Sequence, residues 1–95
     1  MAKRSRQSIF VEAASYLDAC TAALNGADGY HKKAVVLDLK ISDEYNRPWR
    51  DDLVILELKD ERDRLLMQAD NLRRSAAKAL RKHISLMRKA RWARD

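Results

Sequence analysis

The chain has 95 residues with 20 Lys and Arg against 14 Asp and Glu, a formal net charge of +6, so it has room for one domain at most. Hydrophobic residues make up 46% of it, but fourteen of them are alanine, and side chains large enough to fill a core are fewer than that figure implies. Two glycines and one proline offer too little turn chemistry for an all-β chain, and the single cysteine, Cys20, excludes an internal disulfide. No apolar run approaches the roughly 18 to 20 residues of a membrane span, so the expectation is an all-α protein of the cytoplasm.

Residues 1–7, MAKRSRQ, are basic and have nothing to bury, which predicts a flexible arm ahead of a single helical domain over 8–95. Lys3, Arg4 and Arg6 before an apolar stretch ending in Cys20 superficially fit an exported lipoprotein. Glu12 and Asp18 inside that stretch argue against export. From Ser8 the spacing is helical, with Ile9, Ala13, Tyr16, Leu17, Cys20 and Leu24 on one face and Asn25-Gly26 as a stop. Asp28 then caps a second helix. On this reading His31, Lys32 and Lys33 follow Gly29 at a helix start, where free N–H groups can receive a small anion.

Residues 30–45 support two readings. At a period of 3.6, Tyr30, Ala34, Leu37, Ile41 and Tyr45 align, whereas at a period of two Leu37, Leu39 and Ile41 alternate with Asp38 and Lys40. VVLDLK at 35–40 also resembles VILELK at 54–59, so an α+β fold with a β-hairpin formed by residues 34–41 and 53–59 is the alternative. Helix is preferred because VILELK runs on into KDERDRLL, where Lys59 with Asp63 and Asp60 with Arg64 form i,i+4 pairs of opposite charge.

Asn46-Arg47-Pro48 reads as a break and a restart, with Asn46 as cap and Asp51 and Asp52 near the positive end of a new helix dipole. That helix extends over about 48–92, roughly 67 Å at about 1.5 Å per residue. Leu58, Leu65, Ala69, Leu72, Ala76, Ala79, His83, Leu86 and Ala90 form a seam at alternating gaps of four and three after an opening seven, the spacing of a coiled coil. Either the rest of the chain folds back along this seam or another copy covers it. The expected architecture is a helical hairpin or three-helix arrangement with one long C-terminal helix. Leu66, Leu80, Ile84 and Met87 widen the apolar surface beyond a two-helix seam and imply more than one neighbour. Because the acidic segment 51–63 and the basic segment 73–94 lie on the same helix, antiparallel copies would oppose unlike charges, and the expectation is an antiparallel homo-oligomer that self-associates through the seam Leu58 to Ala90.

Charge is polarised along the chain: residues 11–70 hold 8 positive and 13 negative side chains, whereas residues 71–95 hold 9 positive and 1 negative. Arg74, Lys78, Arg81, Lys82, Arg88 and Lys89 recur on the outer face of the long helix, a pattern suited to neutralising phosphates on a polyanion such as nucleic acid. Cations near a helix C-terminus are also what the dipole favours. Trp92 can stack on a base or cover an apolar edge. No helix-turn-helix, zinc-finger or RNA-recognition motif is present, so base-specific readout is not expected.

No catalytic constellation appears. His83 lies on the seam as a packing residue, and Cys20 lies on an apolar face as a small buried hydrophobe. The acidic cluster of Asp51, Asp52, Glu57, Asp60, Glu61 and Asp63 lacks a calcium-loop pattern and is interleaved with Lys59, Arg62 and Arg64, so no metal or cofactor is implied. The leading expectation is a non-enzymatic, self-associating helical protein that presents a basic face to nucleic acid or another polyanion. The alternatives are a protein-binding adaptor or inhibitor docking on a larger complex, and an oligomer holding a small anion between subunits near His31, Lys32 and Lys33.

Overall fold

The computed structural model describes residues 5–92. They form two helices, α1 from Arg6 to Tyr45 and α2 from Asp52 to Trp92, and there is no strand among the described residues. Residues 34–41 and 53–59, the alternative β-hairpin, are helical throughout. The three-helix arrangement is also corrected, because α1 does not stop at Asn25-Gly26. Of the arm expected over 1–7, Met1 to Arg4 lie outside the described residues, and Arg6 and Gln7 already belong to α1. Ser5 caps that helix: its Oγ accepts from the Ser8 N–H at 3.1 Å.

Tertiary packing explains why α1 continues through two glycines. Ile9, Ala13, Cys20, Ala27, Ala34, Leu37, Ile41 and Glu44 are buried, and Tyr16, Ala23 and Tyr30 are half-buried between them. The eleven step along at alternating gaps of four and three from end to end. That face is interrupted by neither glycine, and the burial it provides outweighs the roughly 1 kcal/mol that each helical glycine costs. Helix α2 carries the matching row, with Ile55, Ala69, Ala76, Leu86 and Ala90 buried.

The chain divides into two compact units. In the first, whose described residues are 5–24 and 73–92, Ile9, Ala13, Leu86 and Ala90 form a core against which Tyr16 packs. Arg6 Nε donates to the Ala90 carbonyl at 3.1 Å, and His83 Nδ1 lies 2.7 Å from the Ala13 carbonyl. A carbonyl can only accept, so Nδ1 carries the hydrogen. These contacts place the start of α1 beside the end of α2, so the two segments run antiparallel.

The second unit, Asn25–Leu72, is a helical hairpin. Close approach is visible at Gly26, where a Cβ would lie 3.0 Å from Leu72 Cδ1. Arg62 spans the two segments, with Nη1 3.0 Å from Asp38 Oδ1, and its Nη2 lies 3.2 Å from Asp63. The bond to Asp38, aided by Asp63, raises the guanidinium pKa further above its ordinary value. Lys59 Nζ donates to Tyr45 Oη at 2.8 Å, so it reaches α1 instead of the expected Asp63.

Pro48 sits in the turn between the helices and not in the first turn of α2. The cap is Asp51, not Asn46: its Oδ1 accepts from the N–H groups of Leu53 at 3.0 Å and Val54 at 3.3 Å. Glu44, the buried acid at the end of α1, pairs with Arg47 at 3.2 Å and accepts from the Asp51 N–H at 3.5 Å. A single carboxylate thus ties both ends of the turn together.

Candidate polyanion-binding face

All nine seam residues, Leu58, Leu65, Ala69, Leu72, Ala76, Ala79, His83, Leu86 and Ala90, are buried or half-buried within one chain. In the first unit Leu86 and Ala90 pack on Ile9 and Ala13, and in the second Leu72 packs on Gly26. In each unit the cover comes from α1 residues of the same chain, because α1 does not stop at Gly26. The fold-back offered as one way to satisfy the seam is therefore present, and the seam does not require a second molecule.

The six predicted cations lie outside the seam. Arg74, Lys78, Arg81, Lys82, Arg88 and Lys89 are all exposed, and all belong to the first unit. Arg74, Arg81 and Arg88 follow one another at seven-residue intervals on the surface opposite the seam. Lys82 and Lys89 form a neighbouring row at the same interval, and Lys78 stands between the two. Lys82 leans over the Tyr16 ring with Nζ 5.3 Å from its centroid, a cation–π contact that anchors its stem beside α1. A shallow groove of about 190 Å³ lies there, lined by Glu12, Tyr16, Lys82, Ser85, Leu86 and Lys89. Among the described residues, no carboxylate pairs with Arg74, Lys78, Arg81, Arg88 or Lys89.

Trp92 is 81% exposed, so it does not cover the apolar edge. It continues the row of Lys78 and Ser85 at seven-residue spacing, on the cationic side of α2. That placement leaves the indole face accessible for stacking next to the positive charges.

The other candidate residues have different settings. His31, Lys32 and Lys33 lie in the middle of α1, where no free helix terminus exists to receive an anion. His31 is exposed, Lys32 pairs with Asp28 at 3.8 Å, and Lys33 sits 5.8 Å from the Tyr30 ring centroid. Asp28 consequently caps nothing. Cys20 is buried, and no cluster of His, Cys, Asp and Glu among the described residues is arranged to hold a metal. No helix among the described residues is long and apolar enough to cross a membrane.

The first unit has a second apolar surface, whose α2 residues Leu80, Ile84 and Met87 are legible in the sequence as lying beyond the seam and whose α1 residues are not. Phe10, Leu17 and Leu24 on α1 and Leu80, Ile84 and Met87 on α2 are each 40 to 49% exposed. At one end of this surface a groove of about 550 Å³ is lined by Phe10, Ile84 and Met87 together with Arg6, His83, Arg88 and Arg91. The seven-residue spacing of Phe10, Leu17 and Leu24 was the available signal. It was overlooked because Leu17 and Leu24 were grouped with the buried row. No protein-family model matches the chain, and searches of curated proteins and of solved structures found no match.

Proposed function

We propose that this protein is a non-enzymatic, self-associating helical protein whose cationic face binds the phosphate backbone of nucleic acid or a similar polyanion. One observation carries the reading: six exposed cations occupy adjacent rows of the α2 segment 74–89, and none of the six has a carboxylate partner among the described residues. Cations that served only to complement the helix dipole would concentrate in the last turn. Here they begin at Arg74, more than four turns before Trp92. Accessible positive charges in register along a helix release condensed counterions when they meet phosphates, and that release supplies affinity without base readout. Trp92 adds a stacking surface suited to an unpaired base.

Fluorescence anisotropy with labelled duplex and single-stranded oligonucleotides of unrelated sequence tests the reading. Affinity is expected to depend little on sequence and to fall steeply with added salt. Absence of binding at low salt removes the proposal. A second reading, the adaptor that docks on a larger protein, is favoured by the turn of the second unit, where Trp49 is 91% exposed and Leu53 is 65% exposed. Exposed aromatic side chains of this kind anchor protein interfaces. It predicts that Trp49→Ser abolishes partner capture while leaving oligonucleotide binding intact.

A further inference from the structure

We infer that the apolar surface of Phe10, Leu17, Leu24, Leu80, Ile84 and Met87 is where a second copy of this chain docks, running antiparallel to the first. The inference deepens the self-association in the proposed function and rests on that reading for the fact of assembly. It moves the interface away from the seam, which the chain covers for itself.

The spacing defines the occupant first. Phe10, Leu17 and Leu24 repeat every two helical turns, and Leu80, Ile84 and Met87 follow at gaps of four and three, so the surface offers holes at the intervals at which a helix carries knobs. A second copy has that same pattern and is self-complementary about a twofold axis. The surface is also indented: the 550 Å³ groove beside Phe10, Ile84 and Met87 has room for a large side chain. With the axis near Leu17 and Leu80, the second copy's Leu24 faces Phe10 at that groove.

Area is the second argument. Six side chains of this size, each 40 to 49% exposed, leave on the order of 500 Å² of apolar surface per copy, or about 1,000 Å² for a pair. Neighbouring Ala14, Thr21 and Ala77 and the aliphatic stems of the bordering arginines bring the total to the roughly 1,200 Å² at which specific interfaces begin. The third argument is charge. Arg6, Arg88 and Arg91 gather at one end of the surface around the groove, and Leu24, at the other end, does not line it. Parallel docking would place two three-arginine clusters against each other within a Debye length. Antiparallel docking separates them by the full length of the surface.

Sedimentation equilibrium of the full chain without nucleic acid is expected to give twice the 11.0 kDa chain mass at micromolar concentration. Leu17→Glu with Leu80→Glu is expected to return the chain to monomer with its helical circular dichroism preserved. Oxidative cross-linking then reads the geometry in a Cys20→Ala background. Phe10→Cys mixed with Leu24→Cys is expected to form a covalent dimer, and Phe10→Cys alone is not, because a disulfide requires Cα atoms within about 7 Å. A wild-type chain that stays monomeric at 100 micromolar, or efficient Phe10→Cys self-linking, overturns the inference. The outcome is separable from polyanion binding, since charge reversal at Arg81 and Lys82 is expected to weaken oligonucleotide binding and its salt dependence while leaving the sedimenting mass unchanged.

Discussion

The two glycines of α1 provide a test of how closely the helices approach. Both adopt ordinary helical backbone angles, so neither is required for a left-handed conformation. They differ only in what an added methyl group meets. At Gly29 there is nothing within 4 Å, whereas at Gly26 the methyl lies 3.0 Å from Leu72 Cδ1. Gly29→Ala therefore gains the helix propensity difference alone, about 1 kcal/mol, equivalent to a rise in Tm of roughly 4 to 8 °C for a chain of this size. Gly26→Ala gains the same propensity but must displace a half-buried leucine by a few tenths of an ångström. The lower end of the overpacking range, about 1 kcal/mol, cancels that gain. Urea denaturation followed by circular dichroism, at fixed protein concentration because association shifts the midpoint, is expected to place Gly29→Ala about 1 kcal/mol above Gly26→Ala. Adding Leu72→Ala to each variant should remove the difference, since the displaced methyl is then gone. Equal gains at the two positions would refute the close packing of Gly26 on Leu72.

Ala76→Leu, which places a larger side chain at a buried position of the seam, is expected to cost about 1 to 3 kcal/mol in the same denaturation assay. Asp51→Ala removes the acceptor of the Leu53 and Val54 N–H groups and should cost about 1 kcal/mol, while Asn46→Ala, which removes no cap, should cost less than half of that. His83→Phe keeps the ring but loses the donor to the Ala13 carbonyl, with an expected loss of about 1 kcal/mol in the melting profile. Charge reversal at His31, Lys32 and Lys33 together is expected to leave oligonucleotide affinity within about twofold in an anisotropy titration, because these residues lie outside the cationic face.

The seam on α2 was legible in the sequence because Leu58, Leu65, Leu72 and Leu86 stand out from charged neighbours at helical spacing. Its counterpart on α1 was not, although its spacing is just as regular. There the row runs through Cys20, Ala23, Ala27 and Ala34, residues too small to contrast with the alanines around them. Asn25-Gly26 supplied a strong local stop signal in the middle of it. Burial against α2 outweighed that signal, a case of tertiary context overriding propensity. The β-strand reading of VVLDLK had a physical origin as well: Val35, Val36 and Leu39 are exposed apolar residues on the outside of α1, and they blurred the helical period that Ala34, Leu37 and Ile41 keep. The cationic residues were readable individually, because charge needs no folding argument. That Arg88 borders the same groove as Phe10, Ile84 and Met87 became visible only once α1 was placed beside the end of α2.

The account depends most on the cations of α2 meeting phosphate. The direct measurement is the slope of log affinity against log salt for a duplex oligonucleotide, taken for the wild-type chain and for Arg81→Glu with Lys82→Glu. Full engagement of the six cations predicts a wild-type slope near −5, at about −0.9 per phosphate neutralised, and a slope shallower by about 2 in the double variant. A wild-type slope near zero, or one that the double variant leaves unchanged, would contradict the account.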